Sequence, residues 1–353
     1  MEKDLYALAT DLLMRFIAIQ SFSKEEGDVA TVLEQFYAQH GIVCTRQGNN
    51  VWAKNRFFDS GKPTILLNSH LDTVRPNPQY TRDPFKPEII DGKLYGLGSN
   101  DAGGPLVSLI ATFMHYYNQE NLRYNIIMAA TAEEEISGTG GVESIWSLLT
   151  PVDFAIVGEP TLCQMATAEK GLMVLDCVAR GKAGHAAREE GVNALYEALP
   201  DIEWFRTYRF PDVSQTLGPI KMTVTIINAG KQHNVVPAEC HFTVDVRVTD
   251  AYTLEEILAT VKQHVKCEVT PRSMRMRPSG IAADHVLVKA AERLGIACYG
   301  SPTTSDQALI PVSSVKMGPG DSARSHTADE FIYAAEIRQG IDAYIGLLRE
   351  VII

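Results

Sequence analysis

Short apolar runs that each end in polar residues are the feature that most constrains the fold of this chain. Four of them are TILLNSHLD, NIIMAATAEEE, FAIVGEP and SSVKMGPG, and the helix-like segment GPLVSLIATFMHYYNQE lies between the first two. Strands that alternate with helices predict an α/β fold, with a mostly parallel sheet and helices on both faces. Ligands of such sheets bind at the carboxyl ends of the strands, where the polar residues of these runs accumulate.

The pattern changes near residue 168. The segments KGLMVLDCVARG, GPIKMTVTIINAG and AECHFTVDVRVTD have the alternation of half-exposed antiparallel strands, and two helical stretches lie among them. The order β-α-β-β-α-β predicts an inserted α+β domain of ferredoxin-like type. With 353 residues, the chain is long enough for two domains. We therefore predict one domain from residues 1–167 and 283–353, and an inserted domain from residues 168–282.

Composition narrows the class of protein. The net charge of −11 argues against nucleic acid as a partner, since neutralising phosphates requires a basic surface. No apolar stretch reaches the roughly 18 residues that span a membrane, and the first residues lack the features of a secretion signal. The six cysteines form no C-x-x-C pair. Reduced thiols and a cytoplasmic location are therefore expected.

Histidines and carboxylates follow the strands of the predicted sheet. His70 and Asp72 have the i, i+2 spacing that places two side chains on the same side of a strand. Three consecutive glutamates, residues 133–135, follow a run that reads as a buried strand. Burying an unpaired carboxylate is costly, so a Lys or Arg, a helix N-terminus or a metal ion must compensate its charge. The whole set favours a pair of zinc-type sites and consists of His70, Asp72, Asp101, Glu134, Glu159 and His326.

Each of these residues also has a simpler interpretation. Consecutive glutamates commonly form the solvated start of a helix, and Asp101 could cap the helix that follows it. Ser23 and Glu26 have the spacing of a helix capping box. The metal hypothesis therefore depends on several such residues meeting at one edge of the sheet.

Seven motifs in sequence order resemble those of the M20 metallopeptidase family. They are SHLDTV, GLGSNDAGG, TAEEEISGTGG, VGEP, GKAGHAA, NAGKQHNVVPAEC and GPGDSARSHTADE, and they extend from about residue 64 to 331. The family includes acetylornithine deacetylase, succinyl-diaminopimelate desuccinylase, aminoacylase and carboxypeptidase G2. The resemblance implies a zinc-peptidase-like catalytic domain with an inserted domain that forms a homodimer.

The resemblance also implies two Zn²⁺ ions per subunit, for which Co²⁺ can substitute. His70 and Glu159 would bind one ion. Glu134 and His326 would bind the other, and Asp101 would bridge both.

Further roles follow from the same resemblance. Glu133 would be the general base, Asp72 would orient the His70 imidazole, and Glu135 has no assigned role. In the family, the residue corresponding to His185 reaches into the active site of the partner subunit. The implied substrate contacts are Asn234, Arg247, Thr304 and Ser305, although a structural ion pair with Asp245 or Asp250 is an alternative for Arg247.

The predicted activity is zinc-dependent hydrolysis of the amide bond of a small N-acylated amino acid. The motifs are most similar to the acetylornithine deacetylase branch, which favours N-acetylornithine. N-succinylornithine, N-succinyl-diaminopimelate and dipeptides are the alternatives, and a binding protein that has lost catalysis is the competing class. A succinyl group would need an additional cation, for which the candidates are Arg188, Lys231, Arg275 and Arg324.

Overall fold

The computed structural model describes residues 4–353, which separate into two compact units. The first contains the chain up to Thr167, Gly280–Tyr299 and Ser305–Ile353, and the second contains Ala168–Ser279 and Gly300–Thr304. The division at residue 167 coincides with the change of pattern in the sequence. The chain returns to the first unit at Gly280, whereas the sequence predicts residue 283. Residues 300–304 belong to the second unit.

Eight α-helices are present in the described part of the chain. Their bounds are α1 Leu5–Ile17, α2 Gly27–Gln39, α3 Gly104–Tyr117, α4 Val142–Leu149, α5 Ala194–Thr207, α6 Leu254–His264, α7 Val286–Arg293 and α8 Ala334–Ile352. The strands up to the second unit are β1 Cys44–Gln47, β2 Asn50–Lys54, β3 Thr64–His70, β4 Glu88–Ile90, β5 Lys93–Tyr95, β6 Asn125–Thr131, β7 Phe154–Gly158 and β8 Met165–Glu169. The remaining strands are β9 Gly171–Arg180, β10 Gly184–His185, β11 Lys221–Ala229, β12 Val235–Val236, β13 Glu239–Val248, β14 Glu268–Pro271, β15 Ser279–Gly280, β16 Cys298–Ser301, β17 Ser313–Met317 and β18 Phe331–Tyr333.

The main sheet of the first unit has the strand order β1-β2-β6-β3-β7-β17-β8, and β15 and β16 pair with β8. Its centre is parallel, because β3 pairs in parallel with β6 and β7, and β7 with β17. β1, β2 and β8 add antiparallel pairs at its sides. The mostly parallel α/β sheet predicted from the sequence is confirmed.

Helices cover both faces of this sheet. On one face, Leu67, Met128 and Ile156 belong to the same buried cluster as residues of α1, α3 and α8. On the other face, Leu66 and Ile127 pack in a cluster that includes residues of α4. The central strands are buried on both sides, so their sequences are continuous apolar runs. Polar side chains are displaced to the strand ends.

The second unit is an antiparallel sheet with the strand order β11-β13-β9-β14. In chain order its main elements are β9, α5, β11, β13, α6 and β14, which is the predicted β-α-β-β-α-β order. Residues of α5 and α6 share one buried cluster with alternate residues of the strands. The other face of the sheet is not part of that cluster. No helix of residues 4–353 is both long and apolar enough to cross a lipid bilayer.

Candidate metal centre

His70 is the last residue of β3 and is almost fully buried. Its Nδ1 donates a hydrogen bond to the main-chain oxygen of Asp72 at 2.8 Å. That bond fixes the tautomer in which Nε2 carries a free lone pair. Nε2 is buried and has no hydrogen-bond partner in the described part of the chain. A buried nitrogen without a partner is costly, and a metal ion would satisfy it.

Asp101 lies between two histidines. It belongs to an irregular turn, Ser99–Gly103, that leads into α3. Its Oδ1 is 3.4 Å from His70 Nε2, and its Oδ2 is 3.6 Å from His326 Nε2. One carboxylate therefore presents a different oxygen to each imidazole, as expected for a carboxylate that bridges two metal ions.

Two groups of possible ligands share Asp101. His70, Asp101 and Glu159 form the first, and Asp101, Glu135 and His326 form the second, with the ligand atoms of each group within 4.8 Å of one another. Imidazole and carboxylate groups are the usual ligands of zinc and similar divalent ions. All five residues lie in the first unit. These side chains fit a dinuclear metal centre.

The structure corrects the assignment of the three consecutive glutamates by one residue. The carboxylate beside His326 is Glu135, whose Oε2 lies 3.0 Å from Nε2, and the prediction that Glu134 accompanies His326 is wrong. Glu134 lies near the other histidine, with its Oε2 3.9 Å from His70 Nε2. Glu134 therefore has its carboxylate at the centre without belonging to either group of possible ligands.

Asp72 holds the turn that carries these glutamates. Its Oδ1 accepts a hydrogen bond from the main-chain N–H of Glu134 at 3.0 Å, and its Oδ2 accepts one from Glu135 at 3.1 Å. The Ser23 hydroxyl donates to Oδ2 at 2.6 Å, so Ser23 does not form the predicted capping box with Glu26. Asp72 supports His70 through its main-chain oxygen and the glutamate turn through its carboxylate.

The Glu133 carboxylate packs against the loop of Gly138 and Gly140, whereas the predicted general base would face the metal ligands. Glu133 has a positive φ of 57°, which turns the chain sharply after β6. Its carboxylate accepts a hydrogen bond from Gly140 N–H at 3.2 Å. A Cβ atom at Gly138 or Gly140 would clash with this carboxylate, so these glycines make space for it. Fully buried Glu26 accepts a hydrogen bond from Glu133 N–H at 3.1 Å, which fixes the main chain of the turn.

The carboxylates of the centre are crowded. Burial, followed by the charge of Asp101, raises the pKa of Glu159 to about 8. Burial also raises the pKa of Glu134 well above its usual value, and neighbouring Glu159 and Glu135 raise it further. Burial is also the largest cause that raises the pKa of Glu135. Carboxyl groups that resist ionisation at neutral pH need a cation beside them to become charged.

The same carboxylates also raise the pKa values of the two histidines. The pKa of His326 rises to about 9, chiefly through its hydrogen bond to Glu135. Burial lowers the pKa of His70, but the nearby carboxylates of Asp101 and Asp72 outweigh burial and raise it well above the usual value. Both shifts follow from the negative charge of the neighbouring carboxylates, which divalent ions would neutralise when bound.

Glu330 is a buried residue of the centre that the sequence interpretation missed. Its carboxylate accepts hydrogen bonds from the main-chain N–H groups of Gly98, Asn100 and Asp101 at 3.1, 2.8 and 2.9 Å. Burial and then the charge of Asp101 raise its pKa to about 8. Glu330 thus holds the loop that presents Asp101. The sequence signal was an acidic residue four positions after His326, in the motif HTADE.

His185 and Asn234 lie together in the second unit. His185 pairs with Val235 across the short ladder of β10 and β12. The N–H of Ala186 donates to the Asn234 main-chain oxygen at 3.0 Å, and the N–H of Ala187 donates to His185 Nδ1 at 3.1 Å. The two predicted residues are therefore neighbours.

Arg247 and Thr304 also meet in the second unit, where Arg247 Nη1 donates to the Thr304 hydroxyl at 3.4 Å. Arg247 forms an ion pair with Asp245 at 2.9 Å, as the structural alternative expected. Ser305 belongs to the first unit, is buried, and accepts a hydrogen bond from Gln307 N–H at 3.3 Å. Its hydroxyl thus caps a short helical turn.

Comparison with known proteins identifies the family. The sequence model of peptidase family M20/M25/M40 matches residues 66–350. The chain belongs to this family. Its members hydrolyse amide bonds, so this M20 chain is a hydrolase of that class.

Several named relatives are similar to this chain over most of their length. An acetylornithine deacetylase from Proteus mirabilis is 30% identical over 79% of this chain and 77% of its own. A succinyl-diaminopimelate desuccinylase from a Ruegeria species is 28% identical over 78% and 73%. A [LysW]-lysine/[LysW]-ornithine hydrolase from Sulfurisphaera tokodaii is 28% identical over 96% and 94%. These similarities support an amidohydrolase.

Solved structures share the fold. The aminopeptidase PepT from Bacillus cereus has a TM-score of 0.77 and 19% identity, and the match covers 98% of both chains. The M20 metallo-carboxypeptidase Sso-CP2 from Sulfolobus solfataricus has a TM-score of 0.76 and 17% identity over 99% of both chains. The Bacillus subtilis protein YXEP, described as a dinuclear metal binding peptidase of this family, has a TM-score of 0.70 and 14% identity over 99% of both chains.

Proposed function

We propose that this M20 hydrolase removes the acyl group from an N-acylated amino acid of the ornithine type with two Zn²⁺ ions, for which Co²⁺ can substitute. The observation that carries the proposal is the position of Asp101, whose two carboxylate oxygens face His70 and His326. Acetyl is the acyl group favoured by the motifs, and the likeness to an acetylornithine deacetylase is compatible with it. Succinyl is the alternative, and it would require another cation for its carboxylate.

His70 and Glu159 would hold one ion in this proposal. Glu135 and His326 would hold the other, and Asp101 would contact both. When bound, the ions supply Lewis acidity that acidifies water and polarises the amide carbonyl. Their charge would also allow the crowded carboxyl groups of the centre to ionise.

Glu134 takes the role that the sequence interpretation gave to Glu133. Its carboxylate is at the centre, outside both groups of possible ligands, and its main chain is held by Asp72. Glu134 would accept a proton from the attacking water as the oxygen bonds to the carbonyl carbon. It would then deliver that proton to the amine nitrogen as the carbon–nitrogen bond breaks.

We further propose that the chain acts as a homodimer through the second unit. β11 is an edge strand of its sheet, and Ile226 and Ile227 are 50% and 47% exposed there. An exposed apolar edge strand is suited to pairing with another chain. In the dimer, His185 would stabilise charge in the partner's active site, with Asn234 beside it. Light scattering after gel filtration measures the mass, and a monomer at assay concentration would contradict this assembly.

The substrate is tested with metal-loaded enzyme and a panel of N-acetylornithine, N-succinylornithine and N-succinyl-diaminopimelate. Hydrolysis of none of them, with both ions bound, would reject the proposed substrate class. Cytoplasmic location stays a prediction of the sequence.

The residue assignment is tested by three matched substitutions in one turn. Glu134→Gln should retain both ions and lose about 10²–10⁴ in kcat, because a general base is removed. Glu135→Gln should lose one ion per subunit, as measured by elemental analysis after gel filtration. Glu133→Gln should retain both ions and most of the activity. A collapse of kcat in Glu133→Gln with normal Glu134→Gln turnover would restore the original assignment.

A further inference from the structure

The side chain of Asn100 joins two loops that carry proposed metal ligands. Asn100 precedes Asp101 in the turn before α3 and is fully buried. Its Nδ2 donates to the main-chain oxygen of Asp321 at 3.0 Å, and its Oδ1 accepts from the main-chain N–H of the same residue at 3.1 Å. One side chain thus satisfies both main-chain groups of Asp321, as a neighbouring strand would. Asp321 begins the loop that leads to His326.

A second contact of the same amide reaches further along the His326 loop. Asn100 Nδ2 also donates to the Ser325 hydroxyl oxygen at 3.4 Å. The Ser325 hydroxyl in turn interacts with the Asp101 carboxylate. Ser325 is the residue immediately before His326. Asn100 therefore contacts this loop at its start and again next to the histidine.

Gly320 leaves the space that the Asn100 side chain requires. Its φ is +88°, a conformation that favours glycine. A Cβ atom at this position would lie 2.5 Å from Asn100 Oδ1. The loop and the amide are therefore fitted closely to each other.

The His326 loop is also attached to the segment that follows Glu159. Asp321 pairs with Thr161 in an isolated antiparallel bridge, and the N–H of the residue after Thr161 donates to the main-chain oxygen of Gly320 at 2.7 Å. These bonds do not involve Asn100. Removal of the Asn100 side chain should therefore leave the loop attached to this segment while releasing it from the Asp101 turn.

The two proposed metal positions differ in how their histidines are held. His70 pairs with the neighbouring strand at the end of β3, and its side chain is 1% exposed. His326 lies on a loop with a positive φ of 60°, and its side chain is 55% exposed. The Asn77 amide donates to the His326 main-chain oxygen at 3.4 Å, but this bond is exposed. Buried hydrogen bonds are the stronger ones, so the contacts of Asn100 restrain the loop more than that of Asn77.

We propose that Asn100 is a positioning residue that fixes His326 relative to Asp101. Affinity for the ion on the His326 side of the centre then depends on Asn100, whereas affinity for the ion on the His70 side depends on the central strands. The inference rests on the proposed function, because it assumes the dinuclear centre. Loss of a residue that orients metal ligands typically weakens metal binding by about 10–100-fold.

The test counts metal ions in Asn100→Ala. Zn²⁺-loaded protein is passed through gel filtration and subjected to elemental analysis, and competition with a chelator gives the affinity for each ion. Asn100→Ala should retain one ion per subunit and bind the second about 10–100-fold more weakly than the wild-type protein. Gly320→Ala displaces the same contact from the opposite side, so it should give the same result and replaces Asn100→Ala if that variant does not fold.

Asn125→Ala is the matched control. Asn125 is also buried, and its side chain donates to the main-chain oxygen of Asp59 at 2.7 Å and accepts from the N–H of the same residue at 2.8 Å. It begins β6, at the end of the strand opposite to the metal centre. This variant should lose stability and keep both ions, which separates positioning of a ligand from general destabilisation.

Double variants identify the ion that is lost. Asn100→Ala combined with His326→Ala should bind as much metal as His326→Ala alone, because both changes affect the same ion. Asn100→Ala combined with His70→Ala should bind neither ion tightly.

Two tightly bound ions in Asn100→Ala, or the loss of both together, would overturn the proposal. A wild-type protein that binds fewer than two ions would overturn it together with the dinuclear centre. If the second ion is lost as expected but the wild-type protein hydrolyses no N-acyl amino acid, the role of Asn100 stands and the proposed substrate class fails.

Discussion

Replacing Glu330 with Ala should damage both metal positions at once. The Glu330 side chain is buried and accepts three main-chain hydrogen bonds from the loop that carries Asp101. Its removal leaves those N–H groups without an acceptor. A buried donor left unpaired costs about 1–3 kcal/mol, so with some relaxation the free energy of unfolding should fall by about 3–5 kcal/mol. That is a large part of the roughly 5–15 kcal/mol that stabilises a typical domain.

Two measurements follow from this magnitude. For a domain of this size class, about 2–4 °C of Tm is lost per kcal/mol, so the metal-free variant should melt about 10 °C lower. Equilibrium dialysis against zinc or cobalt should show weaker binding of both ions together, because Asp101 belongs to both groups of ligands. Independent positions would instead lose one ion at a time.

Asp329→Ala is the matched control. Asp329 also accepts main-chain hydrogen bonds, from Thr81 and Arg82, but it is only half-buried and lies next to Glu330 in sequence. This variant should lose some stability and keep its metal affinity. Normal binding of both ions by Glu330→Ala would refute the reasoning, since the Asp101 loop would then be held by other contacts.

Two further predictions concern the glutamate turn and the charges of the centre. Gly138→Ala should displace the Glu133 carboxylate and with it the turn, lowering Tm and kcat together. Gly346→Ala on α8, where nothing obstructs a Cβ, should keep kcat and raise Tm slightly, because Ala is favoured over Gly inside a helix. Unaltered Tm in Gly138→Ala, measured by calorimetry, would show that the turn tolerates the clash. In the metal-free protein, the free energy of unfolding should fall as pH rises from 4.5 towards 9. Glu159 and His326 have folded pKa values of about 8 and about 9, above their usual 4.5 and 6.5, so the stability that they contribute at low pH is lost through this interval. The free energies of unfolding measured by denaturant titration with and without zinc should therefore diverge as pH increases. Parallel pH dependences would show that the carboxylates of the centre do not raise these pKa values.

The positions of the strand ends were predictable from the sequence, because strands that are buried on both faces must be apolar until they end. β3 and β7 are apolar runs whose first polar ligands, His70 and Glu159, come at or just after the last residue of the strand. Once parallel pairing is inferred, those residues must share an edge of the sheet. The same argument places Asp101 before α3, where the chain returns to that edge.

The choice among three consecutive glutamates was not predictable in the same way. Beyond the end of β6 the strand alternation no longer applies, and the positive φ of Glu133 rotates the following side chains. The glycines at 138 and 140 carried the missing information, because their small size makes space for Glu133. Glu330 was missed for another reason. It bonds to a loop about 230 residues earlier in the chain, a separation that no local pattern reveals.

The possible metal ligands and Glu134 all belong to the first unit, whose sequence is interrupted by residues 168–279 of the second. The residues proposed for bond cleavage are thus encoded outside that interrupting stretch of the gene. Evolution could exchange the interrupting stretch while inheriting those residues unchanged. A chimera that carries residues 168–279 of a relative would be the laboratory counterpart of that exchange.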